Sequence, residues 1–212
     1  PKIDGGGKAD FAEQSAEQRK ERRKGGDGLK YVMPIEDRRM VGVIGDYLRE
    51  RNERDYVLFM TGVYLGRRIS DILQYRVRDL RDKERIAIAE QKTGETILLP
   101  INPHLQKIYR DFFKGKKDYE FAFRNSRSKQ NTPISRIRVW QILNEAADAV
   151  GYKESLSCHT LRKTFAYWLY MDTGGDIVMV QEVLGHSDPS ITRRYIGIDQ
   201  QKKEKAINGL HF

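Results

Sequence analysis

The chain has 212 residues, enough for one well-buried domain and a small appendage. Hydrophobic residues make up 39% and charged residues 33%, and the net charge of +9 suits a polyanionic partner without separating DNA from RNA or an acidic membrane surface. The lone Cys158 excludes an intramolecular disulfide, and with no signal peptide or bilayer-length apolar run in view the expected location is cytoplasmic.

Residues 1–28 read as a flexible charged linker. Gly5, Gly6 and Gly7 open it, and Gly25, Gly26, Asp27 and Gly28 close it. Seven basic residues stand against six acidic ones there, with Arg19 to Lys24 bunched at the end. From residue 29 to 212 the pattern is that of one helical domain. Ile35 to Arg51 places Met40, Val41, Ile44, Tyr47 and Leu48 at helical spacing. Asp55 to Leu65 predicts a buried helix, and Ile69 to Tyr75 a short one. The period then changes: Arg85 to Gln91 and Thr96 to Leu99 predict two strands around a turn at Thr93-Gly94-Glu95. Further helices are expected over Pro103–Phe113, Ser135–Val150, Thr160–Met171, Asp176–Leu184 and Ser190–Tyr195, with a short strand at Glu120–Phe123. The fold class is therefore mainly α with a small antiparallel β-sheet, of two or three strands.

Three stretches concentrate phosphate-binding residue types: Gly66-Arg67-Arg68-Ile69-Ser70-Asp71, His159-Thr160-Leu161-Arg162, and Leu184-Gly185-His186 followed nine residues later by Tyr195. Lys92 stands just before the hairpin turn. Phosphodiester transfer needs fixed cations where charge develops on the non-bridging oxygens, an activated nucleophile, and a proton for the departing oxygen. Arginine suits the first task because its planar fork makes paired charge-assisted bonds and stays protonated. Two arginines, two histidines, a lysine and a tyrosine cover all of these roles, and no carboxylate cluster stands ready to hold magnesium. The chemistry expected is free of metal and cofactor.

Neighbouring residues compete for these roles. Arg67 competes with Arg68 through a one-residue shift, and is read as a surface or backbone contact. Tyr167 and Tyr170 compete with Tyr195 but read as packing residues of an apolar helix. Lys83 competes with Lys92. Thr160 is read as a helix cap, which puts Lys163 in the first turn, where a cation is at odds with the helix dipole unless an anion binds there. Cys158 is read as a buried structural thiol.

In order and spacing, G-x-R-I-S-D, a lysine at a β-turn, H-x-L-R, L-G-H and a tyrosine nine residues on resemble the tyrosine recombinase (phage-integrase) family, from about Tyr31 to the C-terminus. The resemblance implies a tyrosine recombinase catalytic-domain fold and a site-specific recombinase that integrates or excises a mobile element. It implies that Arg68 and Arg162 clamp the scissile phosphate of double-stranded DNA, His186 donates to a non-bridging oxygen, and His159 assists proton movement at the tyrosine. Lys92 would protonate the departing 5′-oxygen, Tyr195 would form a 3′-phosphotyrosine, and Asp71 would support the site. A type IB topoisomerase and a DNA-binding domain that has lost catalysis are the alternatives. The family's N-terminal clamp domain cannot fit in residues 1–28, so a catalytic portion of a longer protein is expected in preference to an unusually small full protein. The tail, residues 199–212, carries Ala206, Ile207, Leu210 and Phe212 at roughly helical spacing. Docking on a neighbouring subunit of a homotetramer and packing on its own domain both remain open for it.

Overall fold

The structure, a computed structural model, describes residues 32–89, 96–185, 189–196 and 207–210. The linker at residues 1–28, the expected turn with Lys92, His186, and most of the C-terminal tail lie outside the described residues.

The chain enters as an extended segment through Ile35 before helix α1 (Arg38–Arg51) starts. The helix begins at Arg38 rather than Ile35 because Asp37 caps it, its carboxylate accepting the Arg39 N–H at 2.8 Å. Asn52 ends α1 and caps α2 (Glu53–Leu65), whose first turn carries Glu53 and Asp55, the sign that the helix dipole favours. From Asp55 to Gly62 every residue of α2 is buried, so it is the central element of the core. It stops at Gly66, which adopts the left-handed conformation (φ 59°). Two single-turn helices follow, α3 (Ile69–Ile72) and α4 (Val77–Leu80). The first is shorter than the expected Ile69–Tyr75, and the second has no counterpart in the sequence reading.

Strands β1 (Arg85–Ala89) and β2 (Thr96–Pro100) pair antiparallel, with Ile86 opposite Leu99 and Ile88 opposite Ile97. Ile86 and Ile88 of β1 face the core, whereas Ile97 and Leu98 of β2 are exposed. The described sheet has two strands. The expected strand at Glu120–Phe123 is reduced to a single bridge between Arg76 and Phe121, because the following residues turn away to pair Arg124 with Pro133.

Helices α5 (Pro103–Phe112), α6 (Arg136–Ala149), α7 (Cys158–Asp172), α8 (Ile177–Leu184) and α9 (Pro189–Ile196) complete the described fold. Asn102, Ser135, Ser157 and Asp176 cap the first four through their side chains. The main core joins α1 to α6, the inner face of β1 and the start of α7. A second cluster gathers Ala166 of α7, Val180 and Leu184 of α8, and Ile196 of α9. Helix α7 therefore spans both clusters, with Leu161 in one and Ala166 in the other. Among the described residues no helix is long and apolar enough to cross a membrane.

Candidate active site

Helix α7 starts two residues before the expected Thr160. Ser157 is the cap: its hydroxyl accepts the N–H groups of His159 and Thr160, and Thr160 Oγ1 accepts the Ser157 N–H in return. Thr160 is thus the third residue of the helix, and Lys163 leaves the first turn. Nor does Lys163 face an open phosphate site. It is buried, and its ammonium donates to the Val32 carbonyl at 2.6 Å. The next residue, Thr164, accepts the Ile35 N–H, so α7 holds the entering chain against its back.

Arg162 is almost fully buried, 1% exposed, and works through its fork. One terminal nitrogen donates to the Gly66 carbonyl at 2.7 Å and the other to the Leu184 carbonyl at 2.8 Å. Those carbonyls end α2 and α8, so one guanidinium ties together the loops that lead to Arg68 and to Gly185-His186. Close packing enforces the same convergence. A β-carbon at Gly66 would lie 2.1 Å from the Phe165 ring, and one at Gly62 would lie 2.5 Å from Leu161. Only glycine lets α2 approach α7 this closely, and at Gly66 the positive φ demands it as well.

Arg68 precedes α3 in extended conformation and is half-buried. It lines a cleft of about 270 Å³ with Ile69, Ser70, Arg136, Cys158 and His159. A second cleft of about 380 Å³, lined by Arg136, Ile137, Trp140, Ser157, Cys158 and His159, shares three of these residues. The starts of α6 and α7 therefore open on one concave surface. Neither helix carries an acidic residue in its first turn, so the positive ends of two helix dipoles meet there without a carboxylate to offset them. Cys158 Sγ lies 3.8 Å from the Arg136 carbonyl and donates to it, linking the two helix starts. Burial raises the pKa of this thiol, as expected of a structural cysteine.

His159 stands at the rim of both clefts. Partial burial lowers its pKa below the usual 6.5, and the surrounding cations Arg136, Arg162, Lys163 and Arg68 lower it further. Its imidazole is therefore neutral at pH 7 and can accept a proton. Asp71 is half-buried; its carboxylate accepts the Ser70 hydroxyl at 3.2 Å, and its field falls on Arg67 and Tyr75. Arg67 is not the surface residue expected. It is half-buried, its Nε lacks a hydrogen-bond partner among the described residues, and burial lowers its pKa.

Of the sequence-derived residues, Arg68 and His159 line the cleft; Arg162 lies buried, its charge acting on His159, and Asp71 follows Arg68 by three residues. Tyr195 lies on α9, which packs against α7 and α8 with Thr192 and Ile196 buried beneath it. Its side chain, Lys92 and His186 lie outside what is described. Tyr167 and Tyr170 pack against the second core cluster, as the apolar pattern predicts. The sequence reading missed Arg136, Ile137 and Trp140. The signal was weak: two arginines in Ser135-Arg136-Ile137-Arg138 and a tryptophan four residues after the first, on what reads simply as a core helix.

The sequence model of the phage integrase family matches residues 40–202. A Bacillus subtilis (strain 168) protein named "Probable integrase/recombinase YoeC" is 41% identical over 178 residues, which is 84% of this chain and 96% of that one. The tyrosine recombinase XerD of Staphylococcus saprophyticus is 30% identical over 158 residues, 69% of this chain; this chain spans 50% of that relative's length. Among solved structures, the XerA recombinase superposes with a TM-score of 0.66 at 17% identity, covering 85% of this chain and 67% of that one. A lambda integrase dimer bound to a COC′ core site gives 0.62 at 18% identity, covering 89% and 57%. These two likenesses bear on the fold, which is that of a tyrosine recombinase catalytic domain. With the family model and the YoeC relative both matched across most of its length, the chain belongs to the phage integrase family of tyrosine recombinases.

Proposed function

We propose that this chain cleaves and rejoins double-stranded DNA at specific sites, through a covalent 3′-phosphotyrosine at Tyr195, to integrate or excise a mobile element. The observation that carries the reading is the cleft shared by Arg68 and His159 beneath two acid-free helix starts. Such a surface attracts a phosphate, and its one titratable neutral base stands at the rim.

In this reading the Tyr195 oxygen attacks phosphorus, the new O–P bond forms, and the bond to the 5′-oxygen breaks. His159, held neutral by its surroundings, takes the tyrosine proton, and Lys92 supplies one to the departing oxygen. Arg68 and His186 stabilise the charge on the non-bridging oxygens. Arg162 donates to the carbonyls of Gly66 and Leu184 and adds its buried positive charge behind the cleft. In this reading it is a strut that ties the segment leading to Arg68 to the end of α8, while its charge favours the phosphate. Asp71 sets the electrostatics behind Arg68. Because the phosphotyrosine link conserves the energy of the broken phosphodiester bond, a second 5′-hydroxyl can attack it, displacing the tyrosine oxygen without ATP.

The net charge of +9 suits a polyanion, and the family match favours DNA as that polyanion. Solved relatives of this fold include a XerH recombinase bound to its difH substrate and the lambda integrase dimer described above. The exposed Ile137 and Trp140 beside Arg136 give α6 an apolar and cationic start suited to a DNA groove. Assembly as a homotetramer through the C-terminal tail belongs to the same proposal. Ile207 and Leu210 of that tail are exposed in the single chain, so their apolar surface is available for a partner subunit.

The test is a duplex nicked beside the cleavage position, so that the released fragment diffuses away and the covalent species accumulates. The wild-type chain should yield a denaturant-stable adduct without ATP, and Tyr195→Phe should yield none. An adduct of undiminished yield from Tyr195→Phe would overturn the assignment of the nucleophile.

A further inference from the structure

We propose that Arg136 is a further catalytic residue of this site: a third guanidinium that holds the reacting phosphodiester between Arg68 and His159. This rests on the strand-transfer reading above, and assigns to that site a residue outside the sequence-derived set.

Four observations converge on it. Arg136 lines the same 270 Å³ cleft as Arg68, Ser70 and His159. It is the first residue of α6, and the contact from Cys158 Sγ to its carbonyl holds that helix start beside the first turn of α7. Among the described residues no carboxylate forms an ion pair with it, whereas Arg138, two positions on, is paired with Glu145 at 3.1 Å. A guanidinium left without a counter-ion at two convergent helix starts is poised for an anion. Finally, Arg136 and His159 line both clefts together, and of the charges that lower the His159 pKa that of Arg136 is the largest.

Chemically, Arg136 makes no covalent bond. As the Tyr195 oxygen bonds to phosphorus and the 5′-oxygen leaves with its proton, Arg136 donates N–H groups to a non-bridging oxygen whose charge grows. Before the phosphate arrives, the Arg136 charge also adds to the effect of burial in disfavouring protonation of His159.

Single-turnover formation of the covalent adduct on the nicked duplex, at saturating DNA, tests this directly. Arg136→Gln should slow that step by about 10²-fold, with Arg136→Lys intermediate, while the Kd for the duplex changes only several-fold. On a duplex whose cleavage-position phosphate is a neutral methylphosphonate, the deficit of Arg136→Gln should shrink to a few-fold, because less charge remains to stabilise. The titration midpoint of His159, followed by NMR without DNA, should rise in Arg136→Gln and report a folded site. An unchanged rate at saturation, or an equal deficit on phosphate and methylphosphonate, would overturn the inference. If the wild-type chain itself gives no adduct, the strand-transfer reading fails with it; if only Arg136→Gln behaves as wild type, the failure is confined to Arg136.

Discussion

At the scale of single residues, protonation gives the most specific expectations. His159 has a folded-state pKa below its ordinary 6.5, so the unfolded chain binds its proton more readily as pH falls. Its contribution to stability is lost as pH drops below about 6.5, and the neutral base disappears at the lower folded value. Adduct formation should therefore decline with a midpoint below pH 6.5 as this group protonates. A decline centred above pH 6.5 that vanishes in His159→Gln would contradict the assignment. Lys116, which lines neither cleft, gives an independent case. Its ammonium lies over the Phe112 ring, and burial lowers its pKa from 10.5 to about 8 despite Glu53 and Glu120. Between those values the unfolded chain holds the proton and the folded chain does not, so stability should rise with pH across that window. Lys116→Met should flatten this rise in denaturant midpoints measured from pH 7.5 to 10.5; an unchanged slope would rule out Lys116 as its source. Lys163 shows what single-residue reading misses: its position after Arg162 was legible, but its buried bond to Val32 depends on a chain segment about 130 residues away.

Helix α7 unites the site at the scale of elements. Its first turn carries His159, its interior carries Arg162, and Leu161 and Phe165 press on Gly62 and Gly66 of α2. Gly66→Ala must move the Phe165 ring and hold an L-residue at φ 59°. Overpacking and the left-handed backbone together should cost about 2–4 kcal/mol. Thermal denaturation should show the loss, and adduct formation should fall with it because Gly66 leads directly into Arg68. A variant as stable as wild type would mean that this close approach is not required. Much of the arrangement was legible from the sequence. Gly66-Arg67-Arg68-Ile69-Ser70-Asp71 and the His159–Arg162 pair stand out by residue type and spacing, and apolar periodicity located most helices. The start of α7 was misplaced because Ser157 and Thr160 are both capping residues, and only their mutual hydrogen bonds decide between them. Glu120–Phe123 alternates like a strand, yet a strand needs a partner over several residues and only Phe121 finds one. Arg136 went unseen because its significance lies in where α6 starts relative to α7, which periodicity does not encode.

At the scale of the molecule, the net charge of +9 and the acid-free helix starts predict DNA binding dominated by counterion release. The Kd should rise steeply with salt, and replacing Arg68 or Arg136 with Gln should each reduce the log–log slope by about one. Unchanged slopes would mean that neither residue meets a phosphate. The family match and the cleft together make one further demand on the whole chain, that the covalent bond to DNA form at a single position and with a single polarity. Proteolysis of the adduct from a nicked duplex, followed by mass spectrometry of the nucleotide-bearing peptide, reads both. The DNA should be attached through its 3′ end to Tyr195. Attachment at Tyr167 or Tyr170, or through a 5′ end, would contradict the mechanism.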